Sequence, residues 1–188
     1  MFDNKLTIPS FQTFYVSKDE SNCPLISDIV RISKRLKDFN IIQNVDKTIM
    51  SLSYGKRLLI NANNTNFGDL KQKDFLEIVD CDPVRKVLLS IGPKEPYIDT
   101  SVHWLIHHAR SEVNAIIQLY DIKTEKLVNT TPITEKEYPI GSLEQAKEIL
   151  KCLRDSKIVI IKNQGFIFVG RNVKEVEDLL LKTLEELK

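Results

Sequence analysis

The sequence predicts an α/β fold. Stretches whose apolar residues recur every three or four positions alternate with short β-branched and aromatic runs, and turn-forming residues separate one from the next. Its 188 residues, 42% of them hydrophobic, suffice for one sizeable core. A single domain over 1–188 is therefore expected, with 1–24 as an N-terminal arm of undetermined order.

That arm carries Pro9, Pro24 and the aromatic residues Phe11, Phe14 and Tyr15, which could tack it onto a core or a neighbouring subunit. From Leu25 the positions Leu25, Ile29, Ile32 and Leu36 form a helical stripe. Lys34, Arg35 and Lys37 lie near its C-terminal end, where the helix dipole favours them, and Asn40 is the expected stop. Asp46 to Tyr54 and Arg57 to Ile60 read as a hairpin turning at Tyr54-Gly55-Lys56. The run from Asn61 to Asn66 is expected to be loop, because asparagine competes for its own backbone and tolerates left-handed conformations. Such a loop is either a set of local turns or a surface that hydrogen-bonds an anion or a polar ligand.

Phe75 to Val79 and Val87 to Ile91 are the next strands, separated by Cys81-Asp82-Pro83. Gly92-Pro93 and Pro96 then break the chain before a central stretch, 96–120, that holds all three histidines and the only tryptophan. Asp99 or Thr100 opens a helix there, with Val102, Leu105, Ile106 and Ala109 on one face, and Asn114 to Leu119 follows as a strand apolar enough for a sheet interior. The polar segment from Asp121 to Pro139 offers at most a short strand at Lys126 to Val128. Ser142-Leu143-Glu144-Gln145 is a capping box opening another helix. Ile158 to Ile161 and Phe166 to Val169 form a second hairpin through Lys162-Asn163-Gln164-Gly165, and a helix from Val173 closes the chain.

Composition excludes several classes of function. Twenty-seven basic against 26 acidic residues, interspersed, leave a net charge of +1, which gives no footprint for nucleic acid or an anionic membrane. No apolar run approaches the roughly 20 residues of a membrane span, and the N-terminus lacks a basic then apolar leader, so a cytoplasmic protein is expected. Cys23, Cys81 and Cys152 are odd in number and widely spaced, which argues against a disulfide framework or a cysteine zinc site. His103 and His107, one helical turn apart, share a face and could chelate a metal, but their apolar neighbours favour a structural role, as for His108. Neither a nucleotide-binding fingerprint nor a nucleophile elbow is present.

Gln43-Asn44, Asn61-Ala62-Asn63-Asn64, Gly68-Asp69-Leu70, Glu95-Pro96-Tyr97-Ile98-Asp99, Gln118-Leu119-Tyr120, Ile140-Gly141-Ser142 and Asn163-Gln164-Gly165 follow one another in a telling order. From about Leu25 onward this order resembles the class II aldolase/adducin family. The resemblance implies a largely antiparallel central sheet flanked by helices on both faces, and homo-oligomers with pockets between subunits.

In that family three histidines, two from His-x-His and one from His-Gly, hold a divalent metal, usually zinc, that polarises a carbonyl. The matching positions here are Gln118, Tyr120 and Gln164. Amide and phenol are weak zinc ligands beside imidazole, so no metal is expected. The family's acid/base glutamate falls on Asp99, which equally suits a helix N-cap. The phosphate-holding loops fall on Asn44, Asn63 and Asn64, with Tyr97 and Ile98 replacing small residues and filling space a phosphate would occupy.

Three functions follow. The first is a non-catalytic binding or assembly module with a degenerate metal site, taking at most a small polar ligand. The second is an enzyme of altered chemistry acting on a small carbonyl through Asp99, Gln118, Tyr120 and Gln164. The third is a lyase whose zinc or other divalent metal is held by displaced ligands from His103, His107 or a neighbouring subunit. If Gln118, Tyr120 and Gln164 face one another, a metal-free hydrogen-bonded cluster fills the old site.

Overall fold

A computed structural model describes residues 11–38, 47–121, 127 and 129–187. An eight-stranded sheet runs through it, built from β1 (Gln12–Ser17), β2 (Ile49–Tyr54), β3 (Arg57–Asn61), β4 (Phe75–Asp82), β5 (Val87–Ile91), β6 (Ala115–Tyr120), β7 (Ile158–Ile161) and β8 (Gly165–Gly170). The strand order is β1-β5-β4-β3-β2-β6-β8-β7. Every pairing is antiparallel except β1 with β5 at one edge.

Four helices cover the sheet: α1 (Ile26–Asp38), α2 (Thr100–Ala109), α3 (Leu143–Cys152) and α4 (Val173–Glu186). Alternation along the strands decides which helix each residue meets. Met50, Leu52, Ala115, Ile117, Leu119, Phe166 and Phe168 pack with Ile29, Ile32 and Leu36 of α1 and Val176, Leu180 and Leu184 of α4. On the opposite face Ile116, Val159, Ile161, Ile167 and Val169 pack with Val102 and Ile106 of α2 and Ala146 and Ile149 of α3. The expected α/β architecture, a largely antiparallel sheet with helices on both faces, is the one observed.

Several local expectations change. Within the arm, Gln12 to Ser17 form an edge strand whose outward positions Phe14 and Val16 are exposed. Asn61 is the last residue of β3 rather than part of the loop. Its buried amide donates to the Thr48 carbonyl and accepts from the Met50 amide, extending the β2–β3 ladder by a side chain. Ser142 does cap α3 by accepting from the Gln145 N–H, but the Gln145 side chain turns to the Gly141 N–H, so the box is only half made. The strand expected from Asp46 begins at Ile49 within the described residues; Asp46, Asn40, Lys126 and Val128 lie outside them. Cys23 and Cys81 are buried, Cys152 is half-buried, and all three are free thiols.

Candidate functional site

β2, β6 and α2 build the site together. In β2 the serines of Ile-Met-Ser-Leu-Ser-Tyr alternate with apolar residues, so Met50 and Leu52 enter the core under α1 and α4 while Ser51 and Ser53 meet α2. On α2, His103 and His107 are one turn apart and both reach down to these serines. On β6, Ile117 and Leu119 face α1 and α4, which leaves Gln118 and Tyr120 on the α2 face. Ile49 pairs with Gln118, which sets β2 and β6 side by side.

A continuous hydrogen-bonded chain results. Asp99 Oδ2 lies 2.6 Å from Tyr120 Oη, and Tyr120 Oη lies 2.7 Å from the Gln118 amide nitrogen. The Gln118 amide oxygen is 3.1 Å from His103 Nε2, and His103 Nδ1 is 2.7 Å from Ser51 Oγ. Ser51 Oγ is 3.0 Å from His107 Nε2. His107 Nδ1 ends the chain, 2.9 Å from the Val113 carbonyl and 3.0 Å from Ser53 Oγ. Ser51, His103, Gln118 and Asp99 are all buried.

Burial controls the electrostatics, since it penalises whichever form carries charge. It pushes the Asp99 carboxyl up to about 6, while hydrogen bonds with Tyr120 and Gln118 pull the other way. It lowers His103 to about 3, with neighbouring His107 adding to the effect, and lowers His107 to about 4 against a raising hydrogen bond to Val113. It also raises the Tyr120 phenol, reinforced by the charge and the hydrogen bond of Asp99. Both imidazoles are therefore neutral.

Asp99 occupies the N-cap position of α2 but does not cap it. Its backbone is αR and its side chain makes no cap hydrogen bond; the carboxyl turns to Tyr120 instead, and Oδ1 is buried without a partner. Gln164 stands beside Tyr120 along the β6–β8 ladder, where the Asp121 N–H donates to the Gln164 carbonyl. Its side chain accepts from Gln145 at 2.6 Å and donates to the Tyr138 carbonyl at 2.8 Å. The cluster expected of Gln118, Tyr120 and Gln164 thus forms only between the first two, because Gln145, freed from its capping box, takes the third.

Asn63 and Asn64 lie in a separate place. With Lys47, Thr65, Asn66 and Tyr97 they line an open pocket of about 510 Å³. The loop is held by local turns: Asn63 Oδ1 accepts from the Asn64 N–H, Thr65 Oγ1 donates to the Ala62 carbonyl and Asn66 Oδ1 accepts from the Gly68 N–H. Asn64 has a φ of 54°, the left-handed backbone asparagine tolerates. Lys47 pairs with Asp121, adjacent to Tyr120. Asn44 lies outside the described residues.

Sequence reasoning missed Ser51, Ser53 and Gln145. The two serines carry a signal, a Ser-x-Ser alternation in an otherwise apolar strand, but only the strand pairing shows that it lies under the histidines. Among the described residues no group of three or more His, Cys, Asp or Glu side chains is placed to hold a metal ion, and no helix is long and apolar enough to cross a membrane.

No protein-family model matches the sequence. The chain is 22% identical over 178 residues to an L-fuculose phosphate aldolase of Methanococcus maripaludis, covering 86% of this chain and 93% of the relative. It is 24% identical over 173 residues to the L-fuculose phosphate aldolase of Methanocaldococcus jannaschii, covering 84% and 90%. Among solved structures, an L-fuculose 1-phosphate aldolase superposes with a TM-score of 0.72 at 13% identity, covering 89% of this chain and 85% of the other, a likeness of fold. The strand order and the two-faced helical cover are the fold of these aldolases, and in sequence the chain is similar to the L-fuculose phosphate aldolases.

Proposed function

We propose that this chain is a metal-independent binding or assembly module on the class II aldolase fold. One observation carries the reading: the side chains at the family's three imidazole positions are all engaged with protein partners. Gln118 is held between His103 and Tyr120, Tyr120 lies against Asp99, and Gln164 is fixed by Gln145 and the Tyr138 carbonyl. A divalent ion among them would have to break these bonds and accept amide and phenol oxygens in place of imidazole nitrogen. The residues present do not fit the metal.

A small polar ligand would enter the pocket of Lys47, Asn63 and Asn64. A single domain, assembly into homo-oligomers and a cytoplasmic location complete this reading. One observation favours a second reading. Asp99 keeps a buried carboxyl with a raised pKa and an unpartnered Oδ1, as an acid or base acting on a small carbonyl without metal would require. The curated relatives bear the name of aldolases.

Elemental analysis of protein purified without chelator or metal resin, together with an aldol-cleavage assay on L-fuculose 1-phosphate, tests the proposal. Substoichiometric transition metal and no cleavage are expected. Near one equivalent of metal, lost on Gln118→Ala or His103→Ala, would restore the lyase. Metal-free cleavage abolished by Asp99→Asn would establish the second reading.

A further inference from the structure

The chain from Asp99 to His107 has a direction, and its far end determines it. Each link needs one donor and one acceptor, so fixing one link fixes the next. Both histidines are neutral because burial lowers their pKa values, so each carries a single N–H.

Two directions are self-consistent along the interior. In the first, Tyr120 donates to an ionised Asp99, Gln118 donates to Tyr120, His103 donates from Nε2 to Gln118, Ser51 donates to His103 Nδ1, and His107 donates from Nε2 to Ser51. His107 Nδ1 then carries no proton; Ser53 Oγ, 3.0 Å away, can donate to it, but the Val113 carbonyl oxygen 2.9 Å from the same nitrogen loses its donor. Two acceptors would face each other there with no proton between them, beside a valine that is itself buried.

In the second direction His107 donates from Nδ1 to the Val113 carbonyl, with Ser53 Oγ 3.0 Å from the same nitrogen. Its Nε2 accepts from Ser51. Ser51 accepts from His103 Nδ1, and His103 Nε2 accepts from the Gln118 amide, turned by half a rotation so that its oxygen and nitrogen exchange places without any change in packing. The Gln118 oxygen accepts from Tyr120, and Tyr120 accepts from Asp99. Every link is now satisfied, and the one additional proton resides on Asp99.

We infer that His107, anchored on the Val113 carbonyl and acting through Ser51 and His103, is a positioning residue that holds Asp99 as a neutral carboxylic acid donating to Tyr120. A neutral acid suits its surroundings: Asp99 is 2% exposed with Oδ1 unpartnered, and an uncompensated anion there is costly. Reversal also replaces the bonds that steady the anion with one that steadies the acid, which raises the carboxyl further. The charged and titratable groups around this stretch are Tyr97 and Asp121 near Tyr120, with Lys47 paired to Asp121, and His108 beside His107. The inference rests on the metal-free reading to the extent that Gln118 and Tyr120 are committed to the chain.

Long-range proton–nitrogen correlation spectra and carboxyl-carbon spectra of the full-length, 13C,15N-labelled protein at neutral pH test it. His103 and His107 are each expected to carry a proton on Nδ1 and to have a bare Nε2. In Ser51→Ala the chain is cut: His103 is expected to switch to the Nε2–H form, the Asp99 carboxyl carbon to shift from its acid to its carboxylate position, and His107 to keep its Nδ1 proton. An Nε2–H or doubly protonated form of either histidine in the unmodified protein would overturn the inference, as would an unchanged His103 in a folded Ser51→Ala. If Ser51→Ala does not fold, the unmodified spectrum alone decides. Metal content is measured independently, so a stoichiometric metal would sink the proposed function whatever the tautomers show.

Discussion

Tyr120 is the residue on which the site's polar order depends, because its single hydroxyl joins Asp99 to Gln118. Tyr120→Phe keeps the ring and removes that junction, leaving a buried carboxyl and a buried amide each short of a partner. A loss of about 1–3 kcal/mol in unfolding free energy is expected by urea titration; an unchanged midpoint would mean that water replaces the hydroxyl. The histidines make a second prediction. Their folded-state values, about 3 for His103 and about 4 for His107, lie below the ordinary 6.5, so the unfolded chain binds more protons at mildly acidic pH. The stability they contribute is complete above the ordinary histidine value and is lost as pH falls through the window below it. Asp99, whose carboxyl burial raises, acts in the opposite sense from its ordinary 3.8 up to its raised folded value, one group against two. The urea midpoint is therefore expected to fall on acidification, and less steeply in His107→Gln.

Among the elements, the β7–β8 hairpin makes the sharpest demand on one residue. Gly165 has a φ of 148°, and a Cβ there would lie 2.0 Å from the Leu119 carbonyl oxygen in β6. Since this contact is with backbone, relief requires the two strands to part at the point where Tyr120 pairs with Gly165. Gly165→Ala is expected to cost about 3 kcal/mol or more, read as a lower thermal midpoint, with weakened amide-exchange protection in β6. Protection retained throughout β6 would show that the hairpin accommodates the methyl group locally.

At the scale of the molecule, the sheet has two edges, and β1 forms one of them by a parallel pairing with β5. Tyr15 ties this strand to the loop before α2 by a hydrogen bond of its Oη to Glu95, 2.5 Å long. Removing residues 1–17 would uncover the β5 backbone and this anchor together. A lower thermal midpoint and concentration-dependent association are expected, followed by light scattering; a monodisperse truncated protein of unchanged midpoint would show that β1 is dispensable. What the amino-acid sequence determined by itself was whatever depends on local pattern: the helical stripes of α1, α2 and α4, both hairpins, the loop character of Asn63 to Asn66 and the α/β class. The order of motifs added the aldolase-like architecture. Tertiary structure alone decided where polar side chains turn. Asp99 has the sequence position of a cap yet faces Tyr120, Gln145 leaves its capping box for Gln164, and Ser51 and Ser53 meet His103 and His107 from a strand some fifty residues distant in sequence. Propensity and periodicity describe neighbours along the chain, whereas a buried polar group takes its partner from whichever element packs over it. The direction of the Asp99–His107 chain therefore depends on a single carbonyl, that of Val113, which no local pattern reveals.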